Sequence, residues 1–195
     1  MANNDTPFGF RPVRTLSGVY TGAVNAYEVA DNYDTAIFTG DVVIPVTGGG
    51  VEVTTAAPTI AVQGVFNGCE YQDPTTGKYT YSAYYPASTN ITAGIIRCWL
   101  VDDPMVVFEA QTDGTATIAA NHGNFTIVAT GGDTKSGQSR QEVDFSELAT
   151  TSTDPVKMVG LSTDPENSDT SAANGNIYCI INNHNLKSVG TDGYA

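Results

Sequence analysis

The stretch GDVVIPVTGGGVEVTT, residues 40–55, decides the fold class of this 195-residue chain. Two valine-rich runs flank three consecutive glycines, which is a pattern typical of a β-hairpin. Val42, Ile44 and Val46 are expected to share one face, because side chains alternate along a strand with a period of two. The stretch therefore predicts two paired antiparallel strands.

The rest of the chain follows the same short-strand pattern. Apolar runs recur roughly every ten residues between turn-forming residues, and no segment places apolar residues at helical spacing over three turns. The most apolar runs, 95–101 and 105–110, are expected to form the centre of the core, with Trp99 as its largest side chain. The predicted fold class is all-β, a single β-barrel or β-sandwich body of short antiparallel strands.

Composition limits the classes of partner. No apolar run approaches the roughly 20 residues that a membrane-spanning helix needs, so no membrane partner is expected. The net charge is -13, from 21 acidic and 8 basic residues. Nucleic-acid binding requires clustered Lys and Arg, so the sequence predicts no nucleic-acid partner.

The N-terminus, MANNDTPFGFRPVR, differs from the acidic remainder of the chain. Pro7 and Pro12 exclude a continuous helix there, because proline lacks the amide hydrogen and crowds the preceding turn. Phe8 and Phe10 are large apolar side chains on a segment too short to bury them in a core of its own. We interpret this as an extended aromatic segment that ties the body to a partner, the alternative being a frayed terminus.

The same segment is locally basic. Arg11 and Arg14 are half of the arginines of the chain. The predicted organisation is an extended N-terminal arm at 1–18, a β-barrel or sandwich domain at 19–186 and a C-terminal tail at 187–195.

Half of the ten tyrosines lie between residues 69 and 86, a stretch expected to be a loop. These are Tyr71, Tyr79, Tyr81, Tyr84 and Tyr85. The loop is interpreted either as a contact surface, since tyrosine is enriched at interfaces, or as a cover over the barrel end with half-buried rings. An alternative function follows from it: a β-sandwich carbohydrate-binding or adhesion module in which the 71–85 loop stacks on sugars.

Candidates for catalysis and metal binding are weak. His122 and His184 lack a G-x-S-x-G or reactive-cysteine motif to act with, so no enzyme and no catalytic residue are predicted. Cysteines 69, 98 and 179 have no C-x-x-C spacing, and buried free thiols are expected. Residues 164–169 offer oxygen ligands but lack the glycine and terminal glutamate of an EF-hand, so no metal and no cofactor are predicted.

Three segments carry a resemblance to a known family. They are NNDTPFGFRPVR (3–14), WLVDDPMVVFEAQ (99–111) and INNHNL (181–186). They are similar to the pattern T-x-F-G-[LF]-R-P-V-R, [VL]-x-D-D-P-x-V-x-F-E-x-Q and I-N-x-H-x-L of capsid cement, or head decoration, proteins of tailed bacteriophages. The spelling departs slightly, because Pro7 follows the threonine and Phe10 takes the position of the leucine.

The resemblance implies a structural virion protein without catalytic activity. Such a protein would bind the outer surface of the assembled phage capsid and stabilise it by bridging subunits of the major capsid protein. It would act as a homo-oligomer, a trimer being favoured and a dimer possible. Phe8 and Phe10 would then fill grooves of the shell, Arg11 and Arg14 would pair with its carboxylates, and the tyrosines would be oligomer or capsid contacts.

Overall fold

The computed structural model of the protein describes residues 2–58, 60–91, 93–187, 190 and 193. Within these ranges the chain is all-β, as predicted, and its helical structure is confined to one 3-10 turn at Ile118–Ala120. No helix in the described part of the chain is long and apolar enough to cross a membrane. The strands are β1 (Arg11–Thr15), β2 (Gly18–Val19), β3 (Asn25–Val29), β4 (Ile37–Phe38), β5 (Val42–Pro45), β6 (Val51–Val53), β7 (Gly64–Gln72), β8 (Tyr79–Ser82), β9 (Tyr84–Tyr85), β10 (Ile96–Val101), β11 (Val106–Gln111), β12 (Asn124–Val128), β13 (Glu142–Ala149), β14 (Val156–Leu161) and β15 (Asn176–Ile181).

Five strands close into a small barrel. β10 pairs with β3 on one side and β7 on the other, β7 pairs with β5, β5 with β6, and β6 with β3. The β3–β6 contact is parallel, and the other four pairings are antiparallel. β8 extends the sheet from the second half of β7, which is nine residues long.

The predicted hairpin forms one wall of this barrel. β5 and β6 pair antiparallel, with Val43 opposite Val53, as the valine-rich runs predict. Val42 and Ile44 point to one core, whereas Val43 points to another, because neighbouring side chains alternate across the sheet. The hairpin therefore separates two apolar layers.

The second sheet is a seven-stranded antiparallel sheet in the order β13-β12-β14-β15-β11-β1-β2. Its inner face packs on the barrel through Val42, Ile44, Val65 and Val101, and this layer includes Phe108 and Met158 of the sheet. A separate core joins the barrel strands to the two-stranded β4–β9 sheet, and it is made of Val29, Ile37, Val43, Val51, Phe66, Cys69, Tyr71, Tyr85, Ile96, Cys98 and Leu100. The structure thus combines a small barrel with a sheet laid against it.

A chain of polar side chains ties the barrel to the sheet. The buried carboxylate of Asp102 accepts hydrogen bonds from the amide of Asn25 at 2.8 Å and the hydroxyl of Tyr27 at 2.5 Å. Gln63 donates to Tyr27 at 2.9 Å and accepts from Asn185 at 2.8 Å. Burial, with the hydrogen bond to Asp102, raises the pKa of Tyr27 to about 12, so the phenol stays a donor. The network fixes the β10–β11 turn against the segment after β15.

Two expectations about the core differ from the structure. The runs 95–101 and 105–110 do form the central strands β10 and β11, but these strands belong to different sheets. Trp99 is half-buried on the outside of the barrel, because Ile96, Cys98 and Leu100 take the inward positions of β10. The three cysteines are buried and free, as predicted.

The predicted division into arm, body and tail is also wrong at its first boundary. Residues 11–15 are strand β1 and pair with β11, so the 1–18 segment is part of the body rather than an arm beside a 19–186 domain. Of the predicted tail, 187–195, Lys187, Gly190 and Gly193 are described, and the amide of Gly193 donates to the Thr150 carbonyl at 3.0 Å. The other tail positions lie outside the described residues.

Candidate functional site

The inner half of the N-terminal segment, residues 3–10, is held in place by side-chain amides. The side chain of Gln111 donates to the Asn4 carbonyl at 2.8 Å and accepts from the Thr6 amide at 3.0 Å. Asn167 accepts from the Asn4 amide at 2.8 Å. The Asn3 amide donates to two backbone carbonyls of the 169–173 loop at 2.9 Å each. Because several of these groups are buried, the segment has a defined path over its own body.

Phe10 is a core residue, which corrects its predicted role as an external anchor. Its side chain is 1% exposed, and its ring meets that of Phe108 edge-on at 6.5 Å. Gly9, at φ +74°, turns the chain inward, and a Cβ there would lie 2.5 Å from that of Ser139. The Phe10 amide then donates to the Gly40 carbonyl at 2.9 Å. A side chain so placed has no surface left for a partner.

Phe8 and Arg11 form a surface pair. The Arg11 guanidinium lies 4.3 Å from the centroid of the half-buried Phe8 ring, a cation–π contact. The same guanidinium is 3.9 Å from the carboxylate of Glu109. Arg11 is exposed, but its charge already has partners within the chain. An exposed pair of this kind contributes little to stability.

The outer half of the segment, residues 11–19, forms an exposed apolar edge of the seven-stranded sheet. The β1–β11 register runs through Thr15 and the core residue Val106. It continues to Leu16 and Met105, where the Leu16 amide donates to the Met105 carbonyl at 2.8 Å. Leu16 and Met105 lie directly beyond the ends of β1 and β11, and both side chains are exposed.

Arg14 and Val19 complete this surface. They lie directly opposite each other in the β1–β2 pair, and both are exposed. We call Arg14, Leu16, Val19 and Met105 the edge patch. Leu16 is 45% exposed, Val19 82% and Met105 47%. Arg14 is bonded only weakly within the chain, its guanidinium lying 3.4 Å from the carbonyl of the next residue. The edge patch is therefore apolar, cationic and open.

The tyrosine-rich stretch is not a loop, which corrects the prediction for residues 69–86. It contains the end of β7 and the strands β8 and β9. Tyr71 and Tyr85 are buried in the barrel core, and Tyr84 stacks on Phe38 with ring centroids 5.4 Å apart. These three residues stabilise the fold and offer little contact surface.

The remaining two tyrosines belong to an exposed cluster on the outside of the barrel. Tyr79 and Tyr81 are 68% and 73% exposed. Tyr81 lies opposite Glu70, which lies opposite Arg97 and forms a 2.6 Å ion pair with it. The Trp99 ring is nearly parallel to that of Tyr81, at 15° and 6.2 Å between centroids. We call these five residues the aromatic face.

Two of the residues considered above for catalysis or metal binding, His184 and Asp164, accept hydrogen bonds within the fold. His184 is buried, its Nδ1 accepts the Leu186 amide at 3.0 Å, and burial lowers its pKa to about 4. In the 164–169 loop, Asp164 accepts from Glu166 and Asn176. Within the described ranges no group of three or more His, Cys, Asp or Glu side chains is arranged to hold a metal ion.

Parts of the three segments that carry the family resemblance lie on neighbouring strands of one sheet: 11–14 in β1, 106–111 in β11 and Ile181 at the end of β15. Leu16, Val19, Met105 and Trp99 are surface residues that sequence reasoning missed. Met105 follows a D-D-P turn, and only the long-range β1–β11 pairing brings it beside Leu16. Comparisons with protein-family models, curated proteins and solved structures find no match to this chain.

Proposed function

We propose that this chain is a non-enzymatic structural virion protein that binds the outside of an assembled phage capsid and bridges subunits of the major capsid protein. The observation that carries the proposal is the edge patch. Two of the three resembling segments, 3–14 and 99–111, contribute their exposed residues Arg14 and Met105 to this one surface.

The chemistry of the edge patch suits a protein partner. Exposed apolar side chains gain free energy when a partner covers them, at roughly 25 cal/mol per Å² of apolar surface removed from water. Arg14 would pair with a carboxylate of the shell, a bond that strengthens when water is excluded. On a chain of net charge -13, such a cationic apolar site also selects which face approaches the shell.

Mass action then explains how a small protein would stabilise a shell. A ligand that binds only the assembled state stabilises that state by its binding free energy. Many copies acting across subunit boundaries add their contributions, and an oligomer, with a trimer expected over a dimer, would raise the avidity further. Light scattering of the purified protein measures the oligomeric state.

Charge substitutions in the edge patch test the proposal. Leu16→Asp and Val19→Asp place a carboxylate in the apolar surface, and we expect either to reduce occupancy on purified shells at least tenfold. Ile118→Asp is the matched control, since Ile118 is 68% exposed on the 3-10 turn. Occupancy is measured by co-sedimentation and electron microscopy. Full occupancy by both edge-patch variants would refute the proposal.

A further inference from the structure

The aromatic face belongs to the barrel, whereas the edge patch belongs to the other sheet. Tyr79 and Tyr81 stand outside both apolar cores and expose most of their surface. Clustered apolar surface of this kind, rimmed by polar groups, marks binding sites more often than isolated exposed residues do. The cluster takes no part in the surface proposed to meet the shell.

The sheet sets where the three rings lie. β8 and β10 flank β7, and the rings of Tyr81 and Trp99 meet across it nearly parallel, with centroids 6.2 Å apart. Tyr79 is two residues from Tyr81, or about 7 Å along the strand. Because the strands are hydrogen-bonded, this spacing is fixed before any ligand arrives. The footprint matches one or two linked sugar rings.

Polar groups lie beside these rings. Glu70 lies opposite both Tyr81 and Arg97, and its short ion pair with Arg97 holds the two charged side chains together. The hydrogen bond from Tyr81 to Glu70 raises the pKa of that phenol. Together the guanidinium and carboxylate offer fixed donors and acceptors to adjacent hydroxyl groups.

The charges favour a neutral ligand. Tyr81, Glu70, Arg97 and Glu28 lie opposite one another in a row across four strands. Arg97 is the cation in this row, and it lies between Glu70 and Glu28. Nucleic-acid bases also stack on aromatic rings, but their phosphates need cations that are free to pair. A neutral sugar meets no such repulsion, and its C–H faces can lie on rings while its hydroxyls reach the ion pair.

We propose that the aromatic face binds neutral carbohydrate. Pyranose rings stack on Tyr79, Tyr81 and Trp99, and their hydroxyl groups exchange hydrogen bonds with Glu70 and Arg97. This differs from the sequence-based alternative, in which the whole 71–85 stretch makes the contact, because Tyr71, Tyr84 and Tyr85 are occupied within the fold.

The chain carries its own reporter for this site, since Trp99 is its single tryptophan. The purified full-length protein is titrated with short soluble oligosaccharides of cellulose, xylan, mannan, chitin and starch, while tryptophan emission is followed. We expect a saturable change in emission with at least one of these sugars. Single-stranded oligothymidine and hyaluronan, two anionic polymers, are expected to give none.

Tyr81→Ala tests whether the emission change reports stacking. We expect at least a tenfold weaker affinity, about 1.4 kcal/mol, with an unchanged melting temperature because the residue is exposed. Tyr178→Ala, a half-buried tyrosine on the other sheet, is the control and should bind like the parent. Three results would overturn the proposal: no response to any sugar, equal binding by Tyr81→Ala, or emission that changes only with protein concentration, which would assign the face to a second copy. None of these results depends on shell binding.

Discussion

The two halves of the N-terminal segment, residues 3–10 and residues 11–19, have opposite roles in the structure. Residues 3–10 are fixed by buried amides and end in a core phenylalanine, whereas residues 11–19 form a sheet edge with exposed Leu16 and Val19. Aromatic and basic residues near a chain end therefore do not by themselves indicate a flexible strap. The difference between the halves depends on Gly9, which turns the first half inward.

Deleting residues 2–14 should have the largest effect. The deletion removes β1 from the sheet and Phe10 from the core, so we expect the melting temperature to fall by more than about 10 °C, or the protein to become insoluble. Scanning calorimetry checks this. A folded body of unchanged stability would show that the segment is an accessory arm, as its sequence first indicates.

Phe10→Ala should have the next largest effect. Truncating a fully buried phenylalanine costs about 3–5 kcal/mol, because the ring's transfer free energy is lost and a cavity remains beside Phe108. The free energy of unfolding is measured in urea. Phe8→Ala, at a half-buried ring, serves as the control and should cost clearly less. If Phe10→Ala and Phe8→Ala lost equal free energy of unfolding, the buried and the half-buried phenylalanine would not differ in their contribution to the fold.

Asp41→Asn tests how the inner half is anchored, through the pH dependence of the free energy of unfolding. Burial of Asp41, beside the Gly40 that binds Phe10, raises the pKa of the carboxyl to about 6. A raised acid pKa stabilises the fold below the ordinary value of 3.8, and that stability is lost as pH rises through 6. Asparagine has no charge to bury and can still accept the Phe38 amide bond.

The variant should therefore be more stable than the parent above pH 6, by about 1–3 kcal/mol, with the difference vanishing near pH 4. Urea melts of both proteins between pH 4 and 8 give this difference, in which the titration of other groups such as His184 cancels. A constant difference across that range would show that Asp41 is ionised throughout.

Val19→Asp should have the smallest effect on stability. Its side chain is 82% exposed, so we expect the free energy of unfolding to change by no more than about 0.5 kcal/mol. The same urea melts measure it. A loss above about 2 kcal/mol would mean that the outer half is structural too, and the edge patch would lose its free surface.

Local patterns predicted the elements whose signal lies within one segment. The 40–55 hairpin follows the sequence closely, because valine-rich alternation and turn residues suffice to define it. The sequence does not predict strand β8, because its inward positions carry Thr80 and Ser82 rather than apolar residues.

Long-range pairing accounts for the other differences. Pro12 lies opposite Phe108, nearly a hundred residues away, so no local pattern could show that the N-terminus is a strand. The edge patch depends on the same pairing, since it brings Met105 beside Leu16. The size of Trp99 predicts a place in the core, yet its neighbours in β10 fill the inward positions.

Amide hydrogen exchange of the free and the shell-bound protein tests most directly whether the outer half alone is the binding surface. We predict that residues 3–10 are protected already in the free protein and unchanged on the shell, while residues 13–20 and 102–106 gain protection on binding. Residues 3–10 that exchange freely in solution and become protected only on the shell would contradict the account.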